Sequence, residues 1–247
     1  ALYQDHSHAQ GTDPEVNSLK GLTMPQLTLY RANGACSFVP HAILEELGID
    51  FTTVLLKRGP DGFDAADGSL TNAEYRNTIH HMGYVPALRV NNEDIITEIP
   101  AILTLISSLA PERGLSGDSL VQRAKVLEWL AWLSGSLHGM GFGMRFRPAR
   151  FTNDENLHET VRERGKSLVD AGFSRIDKLL DGKVFPVGEK ETVVDYNLVI
   201  FWYWGREIGL SLDKFPRYAG LIKRMEAKES IKRVAAIEEK KLYFPPQ

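Results

Sequence analysis

The hydrophobic pattern changes period several times along the chain, and each change predicts an element. PQLTLYR (Pro25–Arg31) alternates and carries β-branched and aromatic residues, as a strand does. NGAC is a turn. From Ser37 the period lengthens, and Val39, Ile43, Leu44 and Leu47 fall on one helical face. Ser37 is placed to cap that helix, Pro40 is tolerated in a first turn, and Gly48 suits the position just past the end. IDFTTVLL (Ile49–Leu56) returns to a strand, so the chain opens β-α-β, which implies a parallel pair with a right-handed crossover. Lys57–Tyr75 is rich in Gly and Asp and predicts loop with little regular structure. VPALRV (Val85–Val90), NNED and DIITE (Asp94–Glu98) predict an antiparallel hairpin, with Pro86 at a strand start, where its missing N–H is tolerated. IPAILTLISSLAP (Ile99–Pro111) predicts a helix opened by Pro100 and stopped by Pro111.

The second half reads as helix throughout. After a polar linker, Leu120–Leu137 and Asn156–Leu180 carry helical spacing, and GKVFPVGEK (Gly182–Lys190) is loop. TVVD (Thr192–Asp195) has the form of a capping box just before an apolar run. The helix it starts, Val193–Gly209, is apolar nearly all round and should lie at the centre of its domain. Helices over Phe215–Ala227 and near Ser230–Lys241 follow. The expected division is a tail at 1–23, a first domain at 24–111, a linker at 112–120 and an all-helical domain at 121–247.

Composition removes several function classes. With 247 residues, 43% hydrophobic and 25% charged, the chain can form one large domain or two ordinary ones. A net charge of −3 gives no basis for a nucleic-acid partner. Cys36 is the only cysteine, so no internal disulfide can form, and a reduced, cytoplasmic setting is expected. The longest apolar run, LVIFWYW (Leu198–Trp204), is far short of the roughly 20 residues of a membrane span. Residues 1–23 lack the basic start and apolar stretch of a signal peptide, and His6 and His8 fit a solvated tail better than a metal site.

Five stretches, in this order, resemble the soluble glutathione S-transferases, most of all the bacterial beta class. GACSFVPHAILEELG resembles that class's first-helix motif, GYVPAL the family's Val-Pro turn, and TEIPAI the motif that grips the γ-glutamyl end of glutathione. SLHGMGF (Ser136–Phe142) resembles the stretch that brings a histidine to the cysteine, and TVVDYNLVIFW the capped core helix of the C-terminal domain. The resemblance spans residues 27–236. It implies an α+β, thioredoxin-like N-terminal domain followed by an all-α domain, glutathione as co-substrate, a small hydrophobic electrophile as second substrate, and a homodimer.

The candidate chemistry begins at Cys36. A thiol near a helix N-terminus has its thiolate favoured by free N–H groups and the helix dipole, and the same end would favour a bound thiolate. A buried structural cysteine is the alternative. Ser37 has two roles open, capping the helix or donating to the glutathione sulfur. Tyr30 lies in the strand, while Arg31 stands where the beta class usually has a tyrosine; alternation sends the two to opposite faces. The resemblance makes His138 a general base near Cys36; without it, a lone histidine on such a helix is more often a core residue.

For glutathione, the resemblance implies that Val85 pairs its backbone with the cysteinyl part and that Pro86 is cis. It also implies that Glu98 meets the γ-glutamyl group. Ile99 follows where many relatives have serine, and offers only a backbone N–H. Lys57 meets the glycine carboxylate or is solvated. His80 and His81 replace an Asn-Pro pair and face pocket or solvent, His41 is structural, and no metal site is expected. In GMGFGMRFRPAR (Gly139–Arg150), the expectation is a helix that ends or bends. Met140, Phe142, Met144 and Phe146 line an electrophile pocket or pack a core. Arg145, Arg147 and Arg150 bind an acidic substrate or form a solvated or dimer-facing cluster. Gly139 replaces a lysine of the beta class.

The leading expectation is therefore glutathione conjugation. Cys36-led thioltransferase or lyase chemistry, a pathway enzyme using glutathione for isomerisation or elimination, and a non-catalytic binding protein are the alternatives.

Overall fold

The computed structural model describes residues 24–59 and 61–244; the tail with His6 and His8 lies outside them. Five strands, β1 (Leu27–Arg31), β2 (Thr52–Arg58), β3 (Phe63–Ala65), β4 (Ala87–Val90) and β5 (Asp94–Thr97), form one mixed sheet ordered β3-β2-β1-β4-β5. β1 and β2 are parallel, with Leu29 opposite Thr53, and the other pairings are antiparallel. The crossover helix α1 (Phe38–Leu47) supplies Phe38, Val39, Ile43 and Leu44 to the same core as Leu27 and Leu29. Tyr30 points to the other face, into a smaller cluster with Leu56, Ala65, Tyr75, Ile79 and Ala87.

That smaller cluster corrects one expectation. The stretch read as loop holds β3 and a helix, α2 (Asn72–Thr78), which closes the second face of the sheet. Thr71 accepts from the Glu74 N–H while the Glu74 carboxylate takes the Thr71 N–H, a complete capping box. The T-x-x-E signal was present, masked by surrounding Gly and Asp. Lys57, expected just past a strand, lies inside β2 opposite Asp64 and is exposed.

Five further helices follow α2 and the β4–β5 hairpin: α3 (Ile99–Ser108), α4 (Leu120–Trp132), α5 (His158–Leu179), α6 (Val193–Glu207) and α7 (Pro216–Glu226); α8 (Glu229–Ile237) ends the order. α4 corrects a second expectation. It does not end at the glycines but runs on through a π-helical stretch, Leu133–Phe142, and a last α-turn, Gly143–Phe146. The glycines serve close packing. A Cβ on Gly141 would stand 2.9 Å from Val169 Cγ2, and one on Gly165 of α5 would stand 2.6 Å from the Arg145 nitrogen. α5 therefore lies directly against the far end of α4.

α6 is the hub of the helical half. Thirteen of its residues, Val193–Gly205, are buried. Its start is closed by the Thr192–Asp195 capping box, with the Thr192 N–H donating to Asp195 at 2.8 Å. Among the described residues no helix is long and apolar enough to cross a membrane.

Candidate active site

β1 delivers the chain to a short loop that is fastened from both sides. Ser37 Oγ donates to the Ala32 carbonyl and accepts from the Ala32 N–H, both at 3.1 Å. Its own backbone is helical (φ −61°, ψ −15°) and it makes no side-chain cap, because a capping side chain needs extended backbone at that residue. The expected roles of Ser37 as cap or sulfur donor are both corrected: the hydroxyl is fully buried and spent on Ala32. On the other side of the loop, Gly34 donates its N–H to Glu238 at 2.9 Å and accepts from Trp204 Nε1 at 2.9 Å. The same Glu238 meets His41 of α1 at 2.8 Å. The helical half thus holds the loop that carries Cys36.

Cys36 lies two residues before α1 begins. Its thiol donates to the Val85 carbonyl at 3.2 Å, across the cis Val85–Pro86 bond. Tyr75 fixes the same turn by donating its hydroxyl to the Tyr84 carbonyl at 2.7 Å. Burial pushes the Cys36 thiol up to about 12; its own N–H and Arg147 oppose this and Glu98 adds to it. The expectation of a helix-favoured thiolate is therefore corrected. Desolvation outweighs the helix terminus, and the group at neutral pH is a thiol that donates a hydrogen bond.

Glu98 is exposed at the start of α3 with φ 69°, a left-handed conformation unusual for a residue with a side chain. Its charge is felt at both Cys36 and His80, so it faces the same cleft. Ile99 buries its side chain in the main core and has no side-chain donor or acceptor. The Lys57 side chain makes no hydrogen bond or ion pair among the described residues. His80 and His81 stack at 5.5 Å, and burial lowers the His80 imidazole. Among the described residues no group of three or more His, Cys, Asp or Glu side chains is placed to hold a metal ion.

The π-helical stretch carries His138. Its ring lies 5.0 Å from Trp204 and 6.0 Å from Phe201. Burial, and then the cations Arg147 and Arg150, pull its imidazole down to about 4. The expectation of a base titrating near neutrality is corrected, because the ring is already uncharged at pH 7. Phe142 is corrected as a pocket residue. It is fully buried, stacked on Phe201 at 5.8 Å and packed against Phe173 and Trp204. Met144 sets its Cβ 2.8 Å from the place a Cβ of Gly165 would take, so it belongs to the α4–α5 seam. Met140 is 45% exposed. Arg145 has a buried Nε without a partner, and it is Arg147 and Arg150 whose charges reach His138.

Two features escaped the sequence reading. Glu238, between α8 and the chain end, carried no local signal that it would reach Gly34 and His41. Tyr84 lies beneath both arginines, with Arg150 Cζ 4.4 Å and Arg147 Cζ 5.7 Å from its ring centre. A cavity of about 620 Å³ opens elsewhere, at the opposite ends of β1 and β2, beside Met24, Leu47, Phe51 and Leu109.

A thioredoxin-like sheet, a cis-proline turn facing a thiol at a helix start, and a helical half that reaches over them define a thiol-handling, two-domain protein. Residues 143–229 match the family described as Glutathione S-transferase, C-terminal domain. The chain is 26% identical over 213 residues to the glutathione S-transferase GstA of Escherichia coli O157:H7, covering 86% of this chain and 98% of that protein. It is 30% identical over 150 residues to the uncharacterized GST-like protein YncG of Escherichia coli K12, covering 58% of this chain and 67% of that one. A sphingomonad glutathione S-transferase solved in complex with glutathione superposes with a TM-score of 0.74 at 27% identity, over 86% of this chain and 98% of that one. The chain belongs to the soluble glutathione S-transferase family.

Proposed function

We propose that this protein binds glutathione as co-substrate and conjugates it through its sulfur to a small hydrophobic electrophile, with the chain dividing functionally at residues 112–120. The observation that carries the reading is the 3.2 Å hydrogen bond from the Cys36 thiol to the Val85 carbonyl across a cis Val85–Pro86 bond. An extended thiol peptide laid on Val85 pairs with its N–H and C=O as an added strand would. The peptide N–H then takes the carbonyl, and the Cys36 S–H is released to donate to the peptide's sulfur and favour its thiolate. Glu98 supplies a carboxylate for the peptide's ammonium. His138, uncharged and set among aromatic rings, is a polar wall of the cleft that can accept a hydrogen bond without bringing charge.

A second reading, in which Cys36 itself attacks, is disfavoured by the upward push on its thiol, since the thiolate is the nucleophile. Isothermal titration should show glutathione binding at micromolar to millimolar concentration, and an aryl halide should be conjugated. Cys36→Ala should retain conjugation, and no mixed disulfide should appear at Cys36 by mass spectrometry. Absence of glutathione binding at millimolar concentration sinks the first reading, and loss of all turnover in Cys36→Ala moves the case to the second.

A further inference from the structure

The arginines at the end of the π-extended helix have no role in holding a thiol tripeptide by its cysteinyl backbone and ammonium. Arg147 and Arg150 bring their guanidinium groups over one ring, that of Tyr84, at 5.7 and 4.4 Å. Tyr84 directly precedes Val85, whose carbonyl takes the Cys36 thiol. Arg147 is half-buried. Among the described residues neither arginine has a carboxylate within ion-pair distance, although ion pairs are frequent elsewhere in the chain. Arg58, at the end of β2, adds a third cation close enough to disfavour the charge on Arg147.

Two like charges held over one ring are a cost that stacking offsets only in part. An anion between them removes the cost, and a planar carboxylate matches the guanidinium fork at both. The place is one residue from Val85, on the side from which the helical half covers the cleft. There it would meet the second substrate.

We infer that the preferred electrophile carries a carboxylate or a comparable oxyanion, gripped by Arg147 and Arg150 over Tyr84. This rests on the conjugation reading above and narrows its substrate class. For a carboxylated aryl chloride the reaction balances simply. The glutathione sulfur forms the new C–S bond, the C–Cl bond breaks, chloride leaves with the bonding pair, and the thiol proton passes to solvent base. The arginines take no part in these bonds. They fix the ring so that its reactive carbon faces the sulfur, and are positioning residues.

The test compares 4-chloro-3-nitrobenzoate with 4-chloro-3-nitrobenzamide. Each kcat/KM is divided by the uncatalysed rate constant with glutathione, to remove the difference in intrinsic reactivity. Wild type should favour the carboxylate by roughly 10- to 100-fold, the range expected for hydrogen bonds to a charged group. In the Arg147→Gln, Arg150→Gln double variant the preference should collapse toward unity, with KM for glutathione unchanged. The corresponding double lysine variant should recover part of it, and circular dichroism should show both variants folded. Conjugation of both compounds without preference overturns this inference and leaves the conjugation reading standing. A preference that survives the double glutamine variant overturns it too. A rise in KM for glutathione instead assigns the arginines to a carboxylate of glutathione and equally overturns it. Absence of both glutathione binding and conjugation in wild type overturns the two readings together.

Discussion

His41 of α1 and Glu238, just beyond α8, meet at 2.8 Å in a buried seam, and the second oxygen of Glu238 takes the Gly34 N–H at 2.9 Å. One carboxylate from the end of the chain thus sets both the crossover helix and the loop leading to Cys36. Glu238→Gln keeps the shape but removes the charge and one acceptor, leaving a buried donor poorly paired. The expected loss is about 1–3 kcal/mol in urea unfolding, the cost of an unsatisfied buried polar group. Glutathione affinity should fall with it, because the loop is no longer fastened. A variant with unchanged stability would show that the seam is not structural.

The half-buried imidazole of His138 makes stability depend on pH in a defined direction. Its folded value is pulled down to about 4, against about 6.5 in an unfolded chain. Between those values the unfolded state binds a proton that the folded state does not, so stability rises with pH across the window. The contribution is complete above the unfolded value and is lost as pH falls toward 4, at most about 3 kcal/mol from this group. Urea midpoints at pH 4.5 and pH 7 should differ less in His138→Gln than in wild type. An equal difference would show that the ring is not desolvated.

The Cys36 thiol, pushed up to about 12, should be poorly reactive at neutral pH. Iodoacetamide should alkylate it at least a hundredfold more slowly than free cysteine at pH 7.5, because only the thiolate attacks. Mass spectrometry of timed samples reads this directly. Labelling as fast as free cysteine would reinstate Cys36 as a nucleophile.

The α4–α5 seam is intolerant of any side chain at Gly165, where a Cβ would stand 2.6 Å from the Arg145 nitrogen and 2.7 Å from the Gly141 carbonyl oxygen. Both are backbone atoms, so α5 must move. Gly165→Ala should cost roughly 1–3 kcal/mol, as overpacking does. Because Arg147 directly follows the last turn of this continued helix, the variant should also disturb turnover beyond its effect on stability, seen as a change in KM for the electrophile at a temperature where the protein is fully folded.

Much of this architecture can be read along the chain, because it depends on local periodicity. The β-α-β opening, the hairpin after Pro86, and the apolar-all-round α6 behind its Thr192–Asp195 capping box are all written in consecutive residues. The α2 helix was also written there, in Thr71 and Glu74, but glycine and aspartate on both sides concealed it. What no local pattern contains is desolvation and long-range pairing. A helix start favours a thiolate, yet Cys36 is taken out of water against Val85 and the sign is reversed. A histidine ordinarily titrates near neutrality, yet Phe201, Trp204 and two arginines suppress its charge. Ser37 looks like a cap until Ala32 claims its hydroxyl, and three alternating glycines look like a helix end until α5 packs against them. The sequence by itself determined most of the elements and the resemblance to the family, since both reside in short-range order. Only the tertiary structure decided the charge states in the cleft and brought Arg147 and Arg150 onto Tyr84. Those depend on which surfaces are taken out of water together, and Tyr84 lies more than sixty residues from both arginines.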